Sequence, residues 1–205
     1  QQDARKNVIM ITSSNSGEGK SLTAVNLAIS LAQEVSHSAL LIDADLRRPS
    51  LAAYLEITAK TGLAECLRDG VDASSAIIGT GVPKLELLPA GKSVANPVEL
   101  LSSPKMKSLL LELKRRYPDR YIIIDTPPIL PFAETQIVSM LADGVLLVVK
   151  EGGTTVKDLQ DALDILKGTK VLGIAFNDVD VRAQGMNNRY RHYYQYYADR
   201  QRRKA

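Results

Sequence analysis

Eight consecutive residues, Ser14-Asn15-Ser16-Gly17-Glu18-Gly19-Lys20-Ser21, carry the clearest chemical signal in the chain. Gly17 and Gly19 let a backbone curl around an anion so that successive N–H groups point inward. Lys20 is placed to bridge the β- and γ-phosphates of a nucleoside triphosphate such as ATP, and the Ser21 hydroxyl to ligate Mg²⁺. Ser16, Gly17, Glu18, Gly19, Lys20, Ser21 and Leu22 form the expected nucleotide-binding stretch. Ser14 stands where the usual pattern has Gly, a tolerable departure because the glycines nearest Lys20 remain. A chance Gly-rich turn is the plainer explanation. The context argues against it: an apolar strand, Val8–Thr12, runs in and a helix follows, adding its positive N-terminal end.

A phosphate loop positions its ligand but does not supply the acids that hold a metal or handle an acceptor. Two further strand ends supply them. Leu40-Leu41-Ile42-Asp43-Ala44-Asp45-Leu46-Arg47-Arg48-Pro49 puts two carboxylates just past an apolar run, and Ile122-Ile123-Ile124-Asp125-Thr126-Pro127-Pro128 puts a third. Asp43 and Asp45 could merely cap the next helix, and Asp125 could merely open a turn. Three strand-end acids beside a phosphate loop are better read as one site.

The elements that must position these residues are legible as short Val/Ile/Leu-rich runs: Val8–Thr12, Ala39–Ile42, Leu85–Leu88, Tyr121–Ile124, Val145–Val149 and Val171–Phe176. Helical patterns alternate with them over Ser21–Glu34, from the Ser103-Pro104 cap pair to about Arg116, and over Val156–Leu166. Strands buried on both faces and alternating with helices predict an α/β fold with a doubly wound, mostly parallel sheet, the P-loop NTPase architecture. In such a sheet every strand ends on the same side, so the acids converge on the loop.

The 205 residues suffice for one domain with a substantial core, and 45% hydrophobic and 24% charged content is that of an ordinary globular protein. One cysteine, Cys66, excludes an internal disulfide, fits an intracellular setting, and with His37 and His192 is expected to carry no chemistry. No run approaches the ~18 apolar residues of a membrane-spanning helix, and no signal peptide is present. The chain opens Gln1-Gln2-Asp3 without an initiator Met, as a piece cut from something longer would.

Periodicity stops after Asp180, dividing a body, residues 1–181, from a basic tail, residues 182–205, whose first part, Arg182–Asn188, reads as a linker. The tail has seven Lys/Arg and one Asp, net +6, leaving the body 19 basic and 22 acidic residues, net −3. Five of the eight tyrosines, Tyr190, Tyr193, Tyr194, Tyr196 and Tyr197, crowd into it. A phosphoacceptor cluster explains them, since each phosphate adds ~1.5–2 negative charges and the total grades with the number modified. An interface burying Tyr rings and an aromatic–basic nucleic-acid strip are the other readings. The acidic body offers no matching basic face, so no nucleic-acid partner is expected. The terminal Arg-Gln-Arg-Arg-Lys could touch anionic lipid or be simply solvated.

The loop ending in GEGKS, the segment LLIDADLRRP and the segment IIIDTPP together resemble the Walker A, A′ and B motifs of bacterial tyrosine kinases. Leu88-Pro89-Ala90-Gly91, Asn96-Pro97-Val98-Glu99-Leu100-Leu101, Ala142-Asp143-Gly144 and Leu172-Gly173-Ile174-Ala175-Phe176-Asn177 extend the likeness over Val8 to Asp180. The related ParA/MinD ATPases, a switch without tyrosine transfer, carry a second lysine early in the loop, where this chain has Ser14-Asn15-Ser16. The resemblance implies that a neighbouring subunit's tail tyrosine attacks the γ-phosphate of ATP. In that reading Lys20 stabilises the transferring group, and Ser21, Asp43 and Asp125 organise Mg²⁺ directly or through water. Asp43 or Asp45 accepts the phenol's proton, which a Tyr with pKa near ~10 still holds at neutral pH. Asn177 would help hold adenine, or be a plain turn residue. Also implied are control of capsular or extracellular polysaccharide polymerisation and export, a ring-forming homo-oligomer and a cognate tyrosine phosphatase. So are a transmembrane activator or fused membrane domain of a polysaccharide co-polymerase and a cytoplasmic place at the inner face of the cell membrane. One departure stands out: Gln1–Asn7 lacks the E-x-x-R-x-x-R helix the family uses in ring assembly.

Overall fold

The computed structural model describes residues 6–179. In chain order the elements are β1 (Val8–Ser13), α1 (Lys20–Gln33), β2 (Ser38–Asp43), α2 (Leu51–Tyr54), α3 (Leu63–Asp69) and α4 (Ala73–Ala76). There follow β3 (Ile78–Gly79), β4 (Leu85–Leu88), α5 (Pro97–Leu101), α6 (Pro104–Arg116), β5 (Arg120–Asp125), α7 (Ala133–Ser139), β6 (Gly144–Lys150), α8 (Val156–Ile165) and β7 (Val171–Asn177). The strands form one sheet in the order β3-β4-β2-β5-β1-β6-β7. All neighbours pair in parallel except β3 with β4.

The central strands are apolar on both faces because helices cover both. Met10, Leu40, Ile42, Ile122 and Ile124 point into a core shared with α3, α5, α6 and α8. Ile11, Leu41, Ile123 and Val148 point into a second core under α1. In α1 the buried stripe is Ala24, Val25, Ala28 and Ala32, small residues that bring the helix close to the sheet. The cap pair anticipated for α6 is present: the Ser103 hydroxyl accepts from the Met106 N–H, and Pro104 opens the first turn.

Register decides the site. Asp43 pairs directly with Asp125 across β2 and β5, and Asp125 pairs with Ile11 of β1. The ends of three adjacent strands therefore lie side by side where β1 enters the phosphate loop. Among the described residues, no helix is long and apolar enough to cross a membrane. Tail residues 182–205, with Tyr190, Tyr193, Tyr194, Tyr196, Tyr197 and His192, lie outside the described residues.

Candidate active site

The loop leaves β1 fully extended and must turn abruptly into α1. Gly19 makes the turn in the left-handed region at φ 92°, ψ 19°, where a side chain would be strained. It also has no room for one, because an added Cβ would sit 1.9 Å from Asn177 Nδ2. That amide donates to the Glu18 carbonyl at 3.0 Å, so Asn177 at the end of β7 braces the loop. The Glu18 side chain turns inward and is buried. One of its oxygens accepts from the Asn15 N–H at 2.9 Å, and the other accepts from the Thr154 hydroxyl. Ser16 and Gly17 stay exposed at the mouth, and Leu22 is exposed on the first turn of α1. No side chain caps α1, so its first N–H groups keep the open, positive end that suits a phosphate.

Lys20 points to where the carboxylates meet. Its ammonium nitrogen lies 3.1 Å from Asp45 Oδ2, 3.8 Å from Asp125 Oδ1 and 3.2 Å from Ser21 Oγ. The two acids after β2 then part company. Asp43 is fully buried and committed to backbone: Oδ1 accepts from the Asp45 N–H, and Oδ2 accepts from those of Ser50 and Leu51, at 3.1–3.2 Å. It thus does the helix-capping work foreseen as its plainer role, tying the strand end to α2. Asp45 uses one oxygen to accept from the Arg48 N–H at 3.0 Å and turns the other to Lys20.

Asp125 is different again. It is fully buried, and neither carboxylate oxygen completes a well-formed hydrogen bond. Burial raises its pKa from 3.8 to about 6, against the opposing pull of the Lys20 ammonium and the nearby Ser21 hydroxyl. Burial, then the Asp125 charge beside it, likewise raises Asp43 to about 7, although its backbone hydrogen bonds favour the charged form.

A buried carboxylate that completes no well-formed hydrogen bond, next to a serine hydroxyl, fits a hard cation, while the open helix N–H groups beside it fit the phosphate that the cation would accompany. Among the described residues no group of three or more His, Cys, Asp or Glu side chains forms a metal cage. Mg²⁺ suits that arrangement, since it commonly takes one or two protein ligands and completes its shell with water and phosphate oxygens. Ser21 and Asp125 are the fitting pair. Asp43 is close, but its oxygens are already engaged.

Beside Lys20 opens a cleft of about 350 Å³ lined by Ser16, Gly17, Asp45, Arg47, Pro128 and Phe132, among others. The Arg47 guanidinium lies 5.0 Å over the Phe132 ring and ion-pairs with Glu134 at 2.5 Å. Glu134 is buried, so the pair fixes Arg47 against the cleft wall. Sequence reasoning quoted Arg47 in a motif without giving it a task and missed Phe132, Glu134 and Thr154. The separation of 87 positions between Arg47 and Glu134 leaves no local pattern that could join them.

The sequence pattern of the AAA domain family (AAA_31) matches residues 6–177. The tyrosine-protein kinase YwqD of Bacillus subtilis is 40% identical over 179 residues, covering 85% of this chain and 73% of that protein. The tyrosine-protein kinase ptk of Acinetobacter johnsonii is 37% identical over 184 residues and 89% of this chain. This chain spans only a quarter of that relative's length. Among solved structures, the kinase domain of the Escherichia coli tyrosine kinase ETK superposes with a TM-score of 0.82 at 28% identity. That match covers 92% of this chain and 73% of the other.

Proposed function

The chain belongs to the bacterial tyrosine-protein kinases of the AAA domain family, and from that premise we propose that it transfers the γ-phosphoryl group of ATP to tyrosine, with its own C-terminal cluster as acceptor. The observation that carries the reading is the position of Lys20. One ammonium lies within 4 Å of Asp45, Asp125 and the Ser21 hydroxyl, at the mouth of an uncapped helix. Such a constellation gathers positive charge where phosphoryl oxygens need it and negative charge where a proton must be received.

The roles divide by environment. Backbone N–H groups from Gly17 to Leu22 cradle the phosphates, and Lys20 swings from the carboxylates to the γ-phosphate as the nucleotide enters. Ser21 and Asp125 would hold Mg²⁺, which when bound would supply positive charge against the developing oxyanions, and Asp43 steadies the neighbouring strand end. Asp45 is the better general base of the two acids after β2. It lines the cleft and exchanges one ion pair when Lys20 moves, whereas Asp43 would have to abandon three backbone donors. The incoming phenol of Tyr190, Tyr193, Tyr194, Tyr196 or Tyr197 enters past Phe132 and Arg47, from a neighbouring copy in a homo-oligomer. Asn177 braces the loop and takes the adenine side of the nucleotide.

The family resemblance further supports a kinase acting at the cytoplasmic face of the membrane. Its partners there would be a polysaccharide co-polymerase segment and a tyrosine phosphatase, and its task the control of capsule or exopolysaccharide export. The direct test is the intact mass of the full chain before and after incubation with ATP and Mg²⁺. A ladder of phosphate additions mapping to residues 190–197 is expected. ATP hydrolysis with no mass change would point instead to a ParA/MinD-like switch.

A further inference from the structure

The sheet ends on one side in β7, whose outer edge is paired with no strand among the described residues. Edge strands are usually blunted by charge, proline or brevity. β7 has seven residues, Val-Leu-Gly-Ile-Ala-Phe-Asn, with no charge and no proline. Its alternate side chains Leu172, Ile174 and Phe176 are 47%, 48% and 55% exposed, an apolar row on the strand. Ile174 is in register with Leu147, which lies in the core that α8 covers, so the row continues that core face outward past the last strand.

We propose that this open edge is the resting dock of the chain's own tyrosine segment, residues 190–196, added to β7 as an antiparallel eighth strand. The occupant follows from where the chain goes next. β7 ends at Asn177, and Asp178 turns in the left-handed region at φ 56°. An antiparallel partner begins beside the end of β7, so the twelve residues 178–189 need only close a hairpin loop there, and a segment of seven residues then runs back along the ~23 Å edge. The returning segment, Tyr-Arg-His-Tyr-Tyr-Gln-Tyr, also has seven residues. Its period-two pattern sorts Tyr190, His192, Tyr194 and Tyr196 onto one face and Arg191, Tyr193 and Gln195 onto the other. The aromatic face matches Leu172, Ile174 and Phe176 as cross-strand pairs. Charge agrees, with a tail of net +6 following a body of net −3. A phosphate on a tyrosine packed against this row would set ~1.5–2 negative charges on an apolar, uncharged strand, so docking and phosphorylation oppose each other. The dock therefore retains the tail until it is modified.

Hydrogen exchange on the full chain without nucleotide tests this independently of any kinase activity. Amides of 190–196 and of the outer edge of β7 should exchange at least ~10-fold more slowly than in an Ile174→Glu/Phe176→Glu variant. Both substitutions fall on exposed side chains, so folding should survive. If that variant fails to fold, Tyr190→Ser/Tyr194→Ser/Tyr196→Ser must remove the β7 protection without touching the core. Protection should be independent of protein concentration. Three results would overturn the proposal: no protection of 190–196 in the wild type, equal protection in the variants, or protection of 190–196 that rises with protein concentration. The last would make a second copy the occupant.

Discussion

Asp125 and Asp143 sit at opposite ends of the same sheet and lead opposite lives. Asp143 precedes β6 at the base. Its Oδ2 accepts from the Asn7 and Val8 N–H groups at 3.0 and 2.9 Å and from Lys114 at 2.7 Å, while Oδ1 takes a second Lys114 contact at 2.9 Å. Every feature of that carboxylate is answered within the protein, and the result is a lock that fastens the start of β1 to α6. Asp125 at the other end is more deeply buried, yet its oxygens accept no well-formed hydrogen bond and its pKa is pushed up to about 6. A satisfied acid serves the fold; an acid left wanting serves a ligand, at a cost to the fold that the ligand repays. The difference teaches where to look for function among residues of one type.

The sharpest way to test that contrast is at the loaded end. Lys20→Met removes the ammonium that faces Asp45 and Asp125 while leaving the loop's backbone intact. Phosphotyrosine on the purified protein should fall by ~10²-fold or more, the scale of losing one preorganised charge in a transition state. Thermal unfolding should stay near that of the wild type. Undiminished phosphotyrosine at equal expression would end the kinase assignment. Next in size is Asp45→Asn, expected to slow transfer by up to ~10²-fold while Mg²⁺-dependent ATP affinity, read by titration with and without the metal, changes little. A loss of metal enhancement equal to that in Asp125→Asn would move Asp45 to the metal.

Stability should separate the two ends as well. Asp143→Asn should destabilise the protein by about 2 kcal/mol in denaturant unfolding, because the Lys114 charge and two backbone donors lose their ionic acceptor. Asp125→Asn should do the reverse in the absence of nucleotide, since the neutral amide escapes the burial penalty, and should abolish the extra stability that Mg²⁺ and ATP confer. If both substitutions destabilise alike, the contrast between the two ends fails.

How much of this was legible beforehand depended on the range of the interaction. β1, β2, β5 and β6 announced themselves because helices cover both sheet faces and demand unbroken apolar runs. The two-residue β3 and the short helices α2, α4 and α5 have too few turns to display a period. The loop could be read because its chemistry is local, spelled by adjacent residues. That the acids converge followed from parallel topology, but their inequality did not. Nothing in the segment Asp43-Ala44-Asp45 says that the first acid will accept from Ser50 and Leu51 while the second turns to Lys20. The division depends on how the chain folds back after Arg48, and the Arg47–Glu134 pair on packing between distant segments.

The smallest effect, and the most diagnostic, is in pH. Asp43 and Asp125 have folded-state values of about 7 and about 6 against an ordinary 3.8, so between pH 4 and 7 the folded chain holds protons that the unfolded chain has released. Stability therefore falls as pH rises through that window, the reverse of the usual behaviour of a paired carboxylate. The exposed acids Asp69, Asp72 and Asp158 have lowered values, so their contributions are gained below about 3.8 and do not mask the effect. For nucleotide-free protein, urea unfolding should give a free energy lower at pH 7 than at pH 5 by on the order of 1–2 kcal/mol, since a tenfold difference in proton affinity between folded and unfolded chain is worth ~1.4 kcal/mol. Asp125→Asn should remove part of that slope, matching the wild type at pH 4 and exceeding it at pH 7. Mg²⁺ with ATP should flatten it as well, because the metal favours the ionised carboxylate and competes with the proton. A wild-type curve that rises from pH 4 to 7, with Asp125→Asn running parallel to it, would mean that Asp125 is as well satisfied as Asp143 and that the two ends of the sheet are alike.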